Sequence, residues 1–366
     1  MTTTDIDTDI DTDVETALDL ARLEGFATRV ALDRAAAYNG VLVYLGDRLG
    51  IWRALAAGDR FTVAELAERC GVAERYLQEW LSTQAAGGYI EYDAPTRSFS
   101  LPAEHGLVLA DENTLASGIA GFEVIAAVWA AADQLAHAYV TGDGVGWHEH
   151  DSRLYSGVDR FFATQYRNSL VQEWIPAIDG LTEELEAGIR VLDVGCGLGS
   201  ADILMAQRFP GSTFDGVDYH EESVRRAIAA AAEAGVSGRV TFRQADATSY
   251  DSSYDLICFF DAVHDMGDPV GALAHAREHL APGGRVLAVE PYAEDTLEAG
   301  IGSPVALTYF AASSALCVPN SIDQGGEALG AQAGPKRLLQ AFVDAGFSHA
   351  VVAAETPYNL LIEARA

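Results

Sequence analysis

Lysine is almost missing from this chain: Lys336 stands alone among 366 residues. Lys and Arg together number 23 against 54 Asp and Glu, a formal net charge of −31. So acidic a chain repels nucleic acid and anionic lipid, and neither is expected as a partner. A GC-rich genome that prefers Arg explains the missing Lys but not the acidic excess. The excess suits a halophilic, salt-rich cytoplasm, where such repulsion is screened within about 3 Å at 1 M salt.

Cysteine is scarce too. Cys70, Cys196, Cys258 and Cys317 lie far apart without a CxxC pair, so neither a zinc site nor a disulfide framework is expected. His148-Glu149-His150-Asp151 has ligand-like spacing, but no third distant ligand accompanies it, and no metal is expected. No uncharged apolar run reaches the about 18 residues a membrane helix needs. The start, MTTTDIDTDIDTDVET, lacks the basic and apolar stretches of a signal peptide. The expectation is a cytoplasmic protein with no membrane partner.

What is present falls into blocks. Residues 1–14 repeat Asp, Thr and Ile and read as a disordered acidic tail. Residues 15–115 begin with apolar residues at helical spacing. Then Thr62 stands as an N-cap, with Glu65 three residues on as a capping box. A second helix follows from about Ala73 to Ala86, and Gly87-Gly88 breaks the chain before two short β-like pieces, YIEY and SFSL. Helix, turn, helix and hairpin describe a winged helix. Between Val41 and Leu101 there are six Arg against eight acids, the wrong balance for a DNA reader. Residues 116–180 read as a helical linker or substrate lid, interrupted by a Gly-rich loop at 141–152. From 181 to 366 short apolar runs alternate with helical stretches, the pattern of a parallel α/β sheet, and the last segment reads as a hairpin.

The chemistry sits in the third block. Asp193-Val194-Gly195-Cys196-Gly197-Leu198-Gly199 follows an apolar strand and leads into a helix. Such a turn lets a ligand approach the backbone, because no Cβ intervenes. A dinucleotide fold would want G-x-G-x-x-G, but the third glycine comes one place early and Ser200 holds the required position. A carboxylate at Asp193 would repel a pyrophosphate and attract a cation. Asp218 ends the next strand, where an acid can accept both hydrogen bonds of a ribose diol. Asp246-Ala247 follows the third strand, and Phe260-Asp261 opens a segment running through His264-Asp265 after the fourth. Glu290 ends the fifth.

In this order the stretches resemble the class I S-adenosylmethionine-dependent methyltransferases. The resemblance is strong from 189 to 290 and looser before 115, where it is to members with an N-terminal winged helix. It implies a Rossmann-like, mostly parallel seven-stranded sheet behind a mainly helical winged-helix domain. S-adenosylmethionine is the implied cofactor and S-adenosylhomocysteine its product. Asp193, Gly195, Cys196, Gly197, Gly199, Asp218, Tyr219, Asp246, Ala247, Phe260 and Asp261 are the implied cofactor residues; Tyr166 and Arg167, on a helix just before the glycine turn, are placed to reach the cofactor carboxylate, the other reading being a surface or core-edge role. The His-Asp segment is similar to that of plant-type O-methyltransferases, although Met266 stands where those have Trp. The resemblance therefore implies His264 as general base, helped by Asp265 and Glu290. A small-molecule acceptor and a homodimer through the N-terminal domain are expected. A non-methylating enzyme of the same fold, or a cofactor-sensing winged-helix regulator, are the alternatives.

Overall fold

The computed structural model describes residues 18–326 and 328–366; the tail expected over 1–14 lies outside them. Helix α1, Leu20–Arg48, starts at Asp19, whose carboxylate accepts the Arg22 N–H. It is followed by α2, Ile51–Ala56, and by α3, Val63–Cys70, whose Thr62 cap and Glu65 close a reciprocal capping box. Helix α4, Glu74–Ala86, then leads into an antiparallel hairpin of β1, Glu91–Asp93, and β2, Ser98–Ser100, and into α5, Ala103–Leu109. The core of this unit is built on Trp52 and Trp80, whose rings lie 4.7 Å apart edge to face. Their indole N–H groups donate to the carbonyls of Val43 and Leu42 in α1. Gly46 lies under the pair, where a Cβ would come within 2.6 Å of both rings.

Helices α6, Ile119–Ala130, and α7, Ala132–Thr141, precede the Gly-rich loop, and α8, Arg153–Gln165, follows it. Helix α8 continues as a π-helical stretch, Tyr166–Trp174. Arg160 on α8 ties the blocks together. It meets Asp47 of α1 at 2.9 Å, Glu112 after α5 at 2.7 Å and Glu123 of α6 at 2.6 Å.

Helix α9, Leu181–Ala187, leads into the alternating part: β3, Arg190–Val194; α10, Ser200–Arg208; β4, Thr213–Asp218; α11, Glu221–Glu233; β5, Val240–Gln244; β6, Tyr254–Phe260; α12, Pro269–Glu278; β7, Leu280–Pro291. Then come α13, Leu297–Gly300, α14, Pro304–Ala312, a π-helical turn, Ser313–Cys317, and α15, Val318–Asp323. Helix α16, Gly334–Asp344, and the hairpin of β8, His349–Glu355, and β9, Asn359–Arg365, complete the chain. The sheet has seven strands in the order β5-β4-β3-β6-β7-β9-β8, and only β9 runs against its neighbours. Consecutive residues of β6 feed opposite cores: Leu256, Cys258 and Phe260 pack on one face, Ile257 and Phe259 on the other. This two-sided burial is why the inner strands read as continuous apolar runs.

One sequence expectation fails here. Pro304–Asp323 forms a 20-residue helical stretch with mean hydropathy 1.3, long and apolar enough by composition to cross a membrane. Of its residues, Tyr309, Leu316 and Cys317 are buried against Ala127 of α6 and Leu154 of α8, while Leu307 is exposed.

Candidate functional site

The chain order leaves β3 flanked by β4 on one side and β6 on the other, with the next connections running outward in opposite directions. Crevices at such switch points, beyond the carboxyl ends of the strands, are where open α/β sheets bind ligands. A cavity of about 590 Å³ lies there.

Its floor is the glycine turn after β3. The Gly195 and Cys196 N–H groups donate to the Val217 carbonyl at 2.8 and 3.1 Å, which folds the turn back over β4. Gly195 has φ +82°, and a Cβ there would meet that of Ala262 at 2.9 Å. Gly199 has φ +77° and caps α10; a Cβ on it would strike the Phe242 ring at 2.3 Å. Only glycine fits both demands. Asp218 closes the turn from β4: its carboxylate accepts the Gly197 N–H at 2.9 Å and the His220 N–H at 2.8 Å. Burial pushes its carboxyl up, while these two N–H groups oppose the shift.

Most of the residues singled out in the sequence reach the cavity wall. Gly195, Cys196 and Gly197 form the floor, Asp218 and Tyr219 one side, and Asp246 and Ala247 the far end. Phe260, Asp261 and Asp265 enter from β6, and Tyr166 from the helix above. Asp265 accepts the Trp147 indole N–H at 3.1 Å, and burial raises its carboxyl to about 6.

Three expectations are corrected, at Asp193, Gly199 and Arg167, while Glu290 proves to orient His264. Asp193 is 2% exposed and lies beneath the turn, off the wall. Its side chain meets the fully buried Asp202 of α10, and burial pushes Asp193 up to about 7. A carboxyl walled in with another carboxyl cannot face a cation in the cavity. Gly199 also stands off the wall, because its role is to clear Phe242. His264 and Glu290 sit behind the cavity, 5% and 0% exposed. Glu290 accepts the His264 Nδ1–H at 2.7 Å and the Val263 N–H at 2.9 Å, which fixes the ring. Cys317 adjoins the same imidazole; burial alone would lower the His264 pKa, but Cys317 and Glu290 outweigh it and the net shift is upward. Arg167 is turned away, donating to the Glu112 carbonyl at 2.8 Å.

Of one wall, sequence reasoning picks out only Tyr166. Tyr155, Val158, Asp159, Phe162 and Tyr166 recur at helical spacing down one face of α8 and its continuation, and all line the cavity. That stripe looks like any buried helix face until the sheet is placed beneath it. Trp147 and Asn320 are similar cases: the Asn320 Oδ1 accepts both the Trp147 N–H and the Tyr219 hydroxyl, knitting the loop to β4. Of the His148–Asp151 cluster, Glu149 accepts the Gly146 N–H and Asp151 pairs with Arg153. Among the described residues no three or more His, Cys, Asp or Glu converge as a metal site.

Residues 185–322 match the methyltransferase domain family. The chain carries a methyltransferase domain. In front of it, residues 37–111 match the Rv2258c-like winged HTH domain. Part of the chain is 37% identical over 105 residues to 27-O-demethylrifamycin SV methyltransferase of Amycolatopsis mediterranei, covering 28% of this chain and 38% of that protein. It is 38% identical over 101 residues to trans-aconitate 2-methyltransferase of Deinococcus radiodurans, covering 28% and 37%. The aligned stretch thus spans well under half of these relatives. Among solved structures, mitomycin 7-O-methyltransferase MmcR superposes with TM-score 0.70 at 18% identity, over 95% of this chain and all of that one. Human N-acetylserotonin methyltransferase in complex with S-adenosylmethionine superposes with TM-score 0.68 at 16% identity, over 93% and 97%. The chain therefore shares its overall fold with both.

The residues of the cavity suit S-adenosylmethionine. The glycine cradle admits backbone approach, and Asp218 is aimed by two N–H groups.

Proposed function

We propose that the chain methylates a hydroxyl group of a small molecule. The observation that carries this reading is Asp218, held by the Gly197 and His220 N–H groups at the rim of the glycine turn. There it can accept from a ribose diol, while Asp246 and Ala247 take the adenine edge. When bound, S-adenosylmethionine supplies the methyl group as a sulfonium leaving group. The protein's part is alignment, and near-attack positioning can contribute about 7–11 kcal/mol. His264, its Nδ1–H fixed by Glu290, is the base of this reading; because it stands behind the wall at 5% exposure, the acceptor hydroxyl reaches it only by parting Asp265 and Trp147. The cleft between α8 and the sheet top is the acceptor side, a common place for a ligand.

The finer readings belong to the same proposal. A homodimer forms through the N-terminal domain, supported by an apolar stripe left bare along α1. Neither nucleic acid nor membrane is a partner, and the acidic surface works in a salt-rich cytoplasm.

Titration calorimetry with S-adenosylhomocysteine tests the core. The wild type should bind, and Asp218→Ala should weaken binding by about 1–3 kcal/mol through lost hydrogen bonds. Unchanged affinity in the variant removes Asp218 from the cofactor site. An acceptor product heavier by one methylene separates methyl transfer from any other use of the cofactor.

A further inference from the structure

We propose, building on the methyl-transfer reading, that the acceptor carries a protonated amine beside the hydroxyl to be methylated, and that Asp261 is the counter-ion of that amine.

The charge pattern of the cavity is one-sided. Asp159, Asp218, Asp246, Asp261, Asp265 and Asp268 line it, and no Arg or Lys does. His220, its one imidazole, is pushed down by burial and adds no positive charge at neutral pH. Four of these acids are engaged. Asp218 holds two N–H groups, Asp159 accepts the Ser200 hydroxyl at 2.6 Å, Asp265 the Trp147 indole, and Asp268 caps α12 through the Gly271 N–H at 2.8 Å. Asp246 lies at the adenine end. Asp261 differs: both its oxygens are shielded from solvent and have no hydrogen-bond partner.

Its placement is specific. Asp261 has φ +53°, in the left-handed region that non-glycine residues seldom occupy, and its N–H is tied to the Val289 carbonyl at 2.7 Å. Such strain persists only where the surroundings impose it, and it gathers at functional sites. Its charged neighbours are His264, Glu290 and Asp265. The phenols of Tyr166 and, from the α14 side, Tyr309 also lie within its field. A desolvated carboxyl with nothing to bind is costly. Burial accordingly pushes it well above the usual carboxylate range. An arriving ammonium supplies the missing donors as a charge-assisted pair, and Phe260, Tyr166 and Phe162 offer ring faces for a cation. An ammonium so held has no free lone pair and cannot attack the methyl group, which leaves the hydroxyl as nucleophile. An acceptor with a carboxylate in that place meets only like charge.

Three probes share one phenol and differ in the arm: tyramine (ammonium), tyrosol (hydroxyl) and 4-hydroxyphenylacetate (carboxylate). Their binding is measured by calorimetry with saturating S-adenosylhomocysteine present. Tyramine should bind about tenfold more tightly than tyrosol, and 4-hydroxyphenylacetate should not register. Asp261→Asn should equalise tyramine and tyrosol while S-adenosylhomocysteine affinity holds, which also shows that the variant is folded. Equal binding of the first two by the wild type, binding of the acid as tight as the amine, or no binding of tyramine at millimolar concentration overturns the proposal. So does a fall in S-adenosylhomocysteine affinity in Asp261→Asn, which would give the carboxylate to the cofactor's own ammonium. If the wild type fails to bind S-adenosylhomocysteine, the methyl-transfer reading falls and this inference with it; normal cofactor binding with the wrong ranking removes the inference alone.

Discussion

His264 shows how one residue's surroundings set its working range. The base must be neutral to accept a proton, and the neighbouring Cys317 and Glu290 hold its pKa well above the ordinary 6.5. Turnover should therefore rise with pH through a limb lying above 6.5. Glu290→Gln removes one of the groups that raise the pKa, so the limb should move to lower pH. His264→Ala should slow turnover by about 10²–10⁴-fold if the ring is the base. A pH profile that does not move in Glu290→Gln, with full activity in His264→Ala, would reduce the pair to a structural strut. Linkage has the matching sign: a raised histidine pKa contributes stability that is complete below the unfolded pKa and is lost as pH rises through the folded one.

At the scale of elements, α8 does two jobs on opposite faces. Tyr155, Asp159 and Phe162 face the cavity, while Arg160 gathers carboxylates from three other segments. The winged helix thereby fixes the roof of the cofactor site without contributing a residue to it. Arg160→Ala leaves Asp47, Glu112 and Glu123 to repel one another at a half-buried junction. It should cost about 2–3 kcal/mol, less than breaking a fully buried pair. Urea unfolding reads this directly, and S-adenosylhomocysteine affinity should fall with it. An Arg160→Ala protein that is as stable as the wild type and binds as tightly would dissociate the roof from the front domain.

For the whole molecule, the bare stripe on α1 is the feature to explain. Leu20, Leu23, Phe26 and Val30 are 65%, 53%, 69% and 47% exposed, too much apolar surface in one row for a helix that meets only water. A second copy of the chain covers it in the reading given above. Sedimentation should show a dimer, and the double variant Leu23→Glu, Phe26→Glu should sediment as a monomer with its cofactor site intact. Running the series in rising KCl reads the charge as well, because the unfolding temperature should climb as salt screens the net −31. A wild-type monomer, or a melting temperature indifferent to salt, refutes the corresponding half.

The local signals were legible because each is settled by near neighbours in the chain. The Thr62–Glu65 box, the alternating runs of the sheet and the glycine turn after β3 all formed where the sequence placed them. Asp218 could be picked out because a strand end fixes where its side chain goes. Only the tertiary structure put Asp193 against Asp202, hid His264 and Glu290 behind the wall, and turned Asp159 and Tyr155 into a roof. Each of those outcomes depends on which helix lands on which strand, and that is decided by burial between residues far apart in sequence, which no local spacing encodes.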